Sequence, residues 1–258
     1  MVQFNKWCVS VEKSFGKHQR IVMTANLASL QTGIEETAAI VPRHYVSEES
    51  VASALANLGK SEAAAKIKLK LPTLNAICSG DLGEIYATEW IDANSKYCAP
   101  IKKLRWKDHR DMSMRGEDVI GIFQDPKTQL LYFLKAEAKS RGTLTAQVLN
   151  DARASLDKDG GLPSAHALSY ISERLFELNQ LPLAKAIDDA LYKHSIPLQN
   201  VCHLFFTFSG NPPCKLLTES LQAYTGPITQ LGVALHVDGH NDFIRAVFDQ
   251  VIANANNS

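Results

Sequence analysis

Apolar and polar positions fall into blocks along this chain, and the period of each block predicts an element. Trp7-Cys8-Val9-Ser10-Val11 and Arg20-Ile21-Val22-Met23-Thr24 read as β-rich pieces around a turn at Gly16. Residues 47–58 predict a helix, with Ser47 as N-cap, acids in the first turn and Gly59 at the stop. Residues 61–71 repeat the pattern: a Ser cap, an alanine run, then Pro72. Together, residues 1–79 read as an N-terminal accessory layer. From residue 80 the pattern changes. Residues 81–93 predict a helix with Leu82, Ile85, Tyr86 and Trp90 on one apolar stripe. Strands are predicted over 99–106, from Val119 and from Leu131, the last two joined by the turn Asp125-Pro126-Lys127-Thr128. A helix over 144–156 follows, then a helical pair, 166–178 and 182–194, joined at Asn179-Gln180-Leu181. Val201-Cys202-His203-Leu204-Phe205-Phe206-Thr207-Phe208 is too apolar for a surface strand. A strand over 231–237 and a helix over 242–253 complete the chain.

The order from residue 80 is therefore helix, three strands, helix, helical insert, strand, strand, helix. It contains the αβββαβ order of a restriction-endonuclease-like core, an α/β fold with a mixed sheet flanked by helices. The expected organisation is an accessory region, 1–79, and a core, 80–258, with a helical insert at about 160–196. Fold order alone assigns no function, because one architecture hosts many activities.

Lysine plus arginine and aspartate plus glutamate are both 27, so the formal net charge is zero. This argues against a protein that coats nucleic acid by global charge. It leaves a local basic patch, or a partner, to supply affinity. Hydrophobic residues make up 45% of the 258 residues, enough for a sizeable core. Cys8, Cys78, Cys98, Cys202 and Cys214 lack metal-finger spacing and read as reduced thiols of a cytoplasmic protein. The first residues lack the apolar stretch of a signal peptide, and no run is long enough to span a membrane. No Gly-x-x-x-x-Gly-Lys-[Ser/Thr] loop is present, so the chain is not expected to hydrolyse ATP itself.

Candidate chemistry concentrates on the second and third predicted strands of the core. Asp118 begins one, and the other ends in Glu137-Ala138-Lys139. Side chains two apart on a strand share a face, so Glu137 and Lys139 project together. Two acids beside a lysine suit a Mg²⁺ site, with Mn²⁺ as substitute, next to an amine that positions water and phosphate. Asp118 and Glu137 are the expected ligands, joined by the Ala138 carbonyl. Glu-x-Lys also occurs on solvated strand faces, but residues 131–134 look interior, where unpaired charge is costly. Glu84 either completes the site from the preceding helix or is a glutamate favoured by the helix dipole. Glu117 competes with Asp118, and Asp118 is preferred because Ile120 and Ile122 share its face. Gln147, in the next helix, is a candidate for orienting substrate or a plain surface residue. Lys102, Lys103, Arg105, Lys107, Arg110 and Arg115, with Trp106 and His109 among them, form a candidate nucleic-acid surface for phosphates and a stacked base. A solvated strand edge explains them equally. His236-Val237-Asp238-Gly239-His240 has metal-ligand spacing, but Gly239 is expected to end the strand and part the histidines. His203 is expected as a satisfied core histidine.

The stretch from Gly83 to Arg141 carries a more specific pattern. It holds Gly83-Glu84-Ile85-Tyr86, then Arg110, Met112, Gly116 and Asp118 in Arg-x-Met-x-x-x-Gly-x-Asp spacing, then Lys135-Ala136-Glu137-Ala138-Lys139-Ser140-Arg141. This pattern, over roughly a quarter of the chain, resembles the HamA family, nuclease subunits of bacterial Hachiman anti-phage systems. The resemblance implies a metal-dependent DNase of the PD-(D/E)xK type. Its catalytic carboxylate and lysine would fall on Glu137 and Lys139, and its upstream acids on Asp118 and Glu84. It further implies a superfamily-2 DNA helicase partner, HamB, that restrains the nuclease until aberrant or free-ended DNA is engaged. The alternatives are a catalytically silent subunit of a helicase complex and an RNase with the same site. Residues 1–79 and 142–258 carry no matching motif.

Overall fold

In the computed structural model, which describes residues 1–257, the chain enters on a hairpin of β1 (Cys8–Phe15) and β2 (His18–Ala25). Four helices follow: α1 (Leu30–Tyr45), α2 (Glu48–Leu58), α3 (Lys60–Lys70) and α4 (Asn75–Asn94). A second hairpin is built from β3 (Val119–Gln124) and β4 (Leu131–Arg141). After α5 (Ala146–Asp157), α6 (Ala165–Glu177) and α7 (Leu181–Tyr192) form the expected helical pair. The chain closes with β5 (Val201–Ser209), α8 (Cys214–Ala223), β6 (Thr229–His236) and α9 (His240–Asn257).

All six strands belong to one mixed sheet in the order β1-β2-β6-β5-β4-β3. The four inner strands are parallel, and each outer strand is the antiparallel half of a hairpin. Helices α1, α4 and α9 cover one face. There, Ile85, Tyr86 and Trp90 of α4 meet Leu204, Phe206 and Phe208 of β5. Helices α5 to α8 cover the other, where Ile120, Ile122 and Phe133 pack on Leu168, Leu175 and Ile187. Each such side chain contributes roughly 1.5–3 kcal/mol on burial. Strand β5 is buried from end to end, as its apolar run predicts.

Two expectations change. The strand over 99–106 is not formed: Cys98 makes an isolated bridge to Ile122, and Lys103–Trp106 is a 3-10 turn. Ala99, Ile101 and Leu104 are its buried hydrophobic residues, two and then three apart, so strand alternation breaks off where the 3-10 turn begins. Two strands, not three, therefore separate α4 from α5. Residues 1–79, expected as an accessory layer, supply two strands of the same sheet, with residues 19–24 of β2 running parallel to 231–236 of β6. Among the described residues no helix is long and apolar enough to cross a membrane, and all five cysteines are free.

Candidate active site

Strand β4 outruns its partner. The last rung with β3 joins Val119 to Ala136, so residues 137–141 of β4 have no β3 neighbour. One residue before that rung, Asp118 stands opposite Glu137, on the same face. Its Oδ2 accepts the Ala138 N–H at 2.8 Å, capping the ladder with a carboxylate. The N–H and C=O of one strand residue point to the same edge, so the Ala138 carbonyl opens into this notch too. Glu137 and Lys139 lie on a common face, as predicted, and Lys139 Nζ donates to Glu137 Oε1 at 2.5 Å. Both keep partial access to solvent.

Glu84 approaches from the other side of the sheet edge. Helix α4 lies very close to β4 at Gly83, where a Cβ would stand 3.2 Å from the Cβ of Ser140. The next residue, Glu84, is thereby carried to the notch. Its Oε2 is buried and finds no hydrogen-bond partner among the described residues. Burial, then the charge of Asp118, holds its carboxyl well above the usual range. Burial, then the charge of Glu137, pushes Asp118 up to about 6, opposed by the Ala138 N–H and by Lys103 and Lys139. Glu84 and Asp118 therefore both hold their protons more tightly than free carboxyls, at the same edge of the sheet as Glu137.

Glu117 is engaged elsewhere. Its carboxylate accepts the Ser164 N–H at 2.8 Å and the Ser164 hydroxyl at 2.9 Å, fixing the N-cap of α6. Its carbonyl accepts from Lys103 Nζ at 2.8 Å, which sets that ammonium beside Asp118 and Glu84. Strand alternation thus sends one neighbouring acid to Glu137 and the other to a helix start.

Asp118, Glu137 and the Ala138 carbonyl are all oxygen donors, the chemistry that suits a hard divalent cation retaining several waters. The orphaned Glu84 oxygen offers a further acceptor. Among the described residues no three His, Cys, Asp or Glu side chains close tightly enough to hold a metal by themselves.

The basic run 102–115 is largely turned inward. Lys102 pairs with Asp92 at 2.8 Å. Lys107, expected to meet nucleic acid, is 8% exposed and donates to Asp81 Oδ2 at 2.6 Å, where the Tyr45 hydroxyl also donates. A buried carboxylate needs such partners, and they hold the ammonium away from solvent. Arg105 donates to the Arg43 carbonyl at 2.9 Å, and Arg110 lies 3.5 Å from Asp111. Arg115 is exposed. Gln147 is exposed on α5 and donates to Asp151 at 2.8 Å.

His236, His240 and His203 are placed as expected. His236 ends β6 and lies 3.3 Å from Asp238, while His240, beyond the Gly239 turn, meets the Ser140 hydroxyl at 2.9 Å. The two do not share a site. His203 is buried, with one ring nitrogen 2.8 Å from the Gly161 carbonyl and the other 3.1 Å from the Gln230 amide.

Sequence reasoning did not foresee a cavity of about 540 Å³ beside the acids. Glu84, Lys103 and Asp118 line one side, and Trp106, Tyr170 and Arg174 another. The available signal was Tyr170 and Arg174 four apart on α6, hence on one helix face. Nothing local linked that pair to Trp106.

A family model described as HamA matches residues 1–251 of the chain. The protein named Hachiman protein HamA, from Bacillus cereus, is 26% identical over 175 residues, or 68% of this chain. The match spans 61% of that relative's own length.

Proposed function

The chain belongs to the HamA family, and from that premise we propose that it is a metal-dependent deoxyribonuclease serving a Hachiman-type anti-phage system with a superfamily-2 DNA helicase. The observation that carries the reading is Asp118 standing opposite Glu137, with Lys139 on the same face, where β4 runs past its partner. Carboxylate, main-chain carbonyl and ammonium are thus brought to one open edge. The charge balance of the chain and its free cysteines are compatible with a cytoplasmic subunit whose DNA is delivered by the helicase.

Asp118, Glu137 and the Ala138 carbonyl would hold Mg²⁺ or Mn²⁺, with Glu84 as the accessory acid. When bound, the cation would neutralise phosphate charge and acidify a water. The Lys139 ammonium, steadied by Glu137, orients the attacking water through its N–H groups and offsets charge on the scissile phosphate. Lys103 tempers the repulsion between Glu84 and Asp118. The Ala138 N–H keeps the Asp118 carboxylate turned into the notch.

Plasmid cleavage in Mg²⁺ is the test. Glu137→Ala and Lys139→Ala should each lower the rate by on the order of a hundredfold or more, as losing a preorganised charged group does. Their thermal unfolding should stay close to that of the parent. Parental cleavage by either purified variant would remove the assignment. A catalytically silent binding subunit is the competing reading, favoured by the lack of a closed three-ligand cluster among the described residues. It predicts no metal-dependent cleavage with or without the helicase. Running RNA beside the plasmid separates an RNase from both.

A further inference from the structure

The cavity beside the acids lies past the start of β3, where the segment 101–118 bridges α4 and α6. Its two sides differ in chemistry. Glu84, Asp118 and Lys103 occupy the side next to the notch. On the other, the Arg174 guanidinium lies 5.7 Å from the Trp106 ring centre and 5.1 Å from that of Tyr170. Trp106 and Tyr170 are half-buried, so the three side chains present planar, partly accessible surface. The Arg174 guanidinium engages the Tyr170 hydroxyl and pairs with Glu177, which hold it against the two rings. Buried polar atoms without partners are unusual in folded proteins and call for an explanation. Glu84 Oε2, on a residue that lines the same cavity, is such an atom among the described residues. Arg115, exposed at the rim, adds a cation where a strand would enter.

Planar aromatic and guanidinium surfaces recognise bases by stacking, whatever the sequence. Guanidinium N–H donors next to that platform suit the carbonyl groups on a base edge. The volume falls within the roughly 300–1,000 Å³ range of small-ligand sites. A walled cavity of this size admits one unstacked nucleotide and excludes a stacked base pair. Resting on the nuclease reading above, we propose that this cavity is a subsite for one unpaired nucleotide of the DNA strand whose phosphate reaches the Asp118–Glu137 notch. The substrate class is then single-stranded or end-frayed DNA. Intact duplex enters only after its strands part.

Binding can be read without cleavage. Trp7 and Trp90 are 1% and 3% exposed, so Trp106 is the responsive fluorophore. A short oligothymidylate, titrated into full-length Glu137→Ala protein in EDTA, should quench emission saturably. A blunt-ended hairpin duplex should not. Tyr170→Ala and Arg174→Ala should each raise Kd on the order of tenfold, in line with losing a stacking partner. Should Tyr170→Ala fold poorly, Arg174→Lys, at a partly exposed position, supplies the same comparison. Absence of quenching, equal quenching by the duplex, or unchanged Kd in these variants would overturn the subsite. Plasmid cleavage by the unmodified chain is scored separately. Cleavage without oligonucleotide quenching removes the subsite and leaves the nuclease; quenching without cleavage does the reverse.

Discussion

At the scale of single residues, Asp118 is a proposed ligand that the fold itself makes costly to ionise. Its carboxyl is pushed from 3.8 up to about 6 by burial and by Glu137. The native chain therefore holds a proton that the unfolded chain has released between about pH 4 and 6. Stability falls as pH rises through that window, and above pH 6 the penalty is fully present. Asp118→Asn removes the charge and keeps an acceptor for the Ala138 N–H. In metal-free protein at pH 7.5 it should raise Tm by on the order of a few degrees. The gain should vanish near pH 4, and differential scanning fluorimetry at the two pH values checks both. Cleavage should show the opposite sense. A protonated Asp118 cannot ligate a cation, so the rate in Mg²⁺ should fall as pH drops below about 6. Asp118→Asn should also raise the Mg²⁺ concentration needed for half-maximal cleavage more than Glu84→Gln does. If Glu84→Gln proved the more damaging, the central ligand would belong to α4 and not to the start of β3.

At the scale of elements, the start of α6 is tied to the acid next to Asp118. Glu117 accepts twice from Ser164, whose hydroxyl in turn caps α6 by accepting the Ala167 N–H. Glu117→Ala should cost about 1–2 kcal/mol in urea unfolding, the range for losing a charged acceptor at a helix cap. Its cleavage should fall less than that of Asp118→Asn. The β3–β4 hairpin and the Glu137–Lys139 pair were legible in the sequence because a strand has period 2 and local turn chemistry fixes the hairpin. Helix α1 was not. It carries Gly33 and Pro42, and no side chain caps its start. The glycine answers to a distant residue, since a Cβ there would lie 2.6 Å from the Trp7 ring. Helix α8 was hidden for a related reason: it follows two prolines without a side-chain cap. The 99–106 segment misled because Ala99 and Ile101 keep the strand period before the 3-10 turn breaks it at Leu104. The acids of the candidate site stand in the motif itself. The cavity could not, because Trp106 meets Tyr170 and Arg174 only through tertiary packing.

At the scale of the whole molecule, the positive charge that the sequence places at 102–115 is mostly consumed inside the protein. Lys102 and Lys107 are paired with Asp92 and Asp81, Arg105 with a main-chain carbonyl, and Lys103 with the Glu117 carbonyl. Arg115 and the partly exposed Arg110 remain for phosphates on that stretch. With zero formal net charge, no long-range field makes up the difference. The isolated chain should therefore bind duplex DNA weakly, with a plot of log K against log salt shallower than a slope of about −3. Each phosphate contact contributes about −0.9 to that slope. A partner that holds DNA would replace this weak encounter with a high local concentration of strand at the notch, without any new contact in the chain itself. A helicase partner would also supply unpaired strand, the form proposed for the cavity beside Asp118. Cleavage of linear duplex by the two purified chains should then exceed the sum of their separate activities by at least tenfold, and should depend on ATP hydrolysis. Pre-melted or single-stranded substrate should narrow that gap. A lone chain that grips duplex at physiological salt with a steep slope, and degrades it as fast as the pair does, would place the missing cations on a surface other than residues 102–115 and remove the need for a partner.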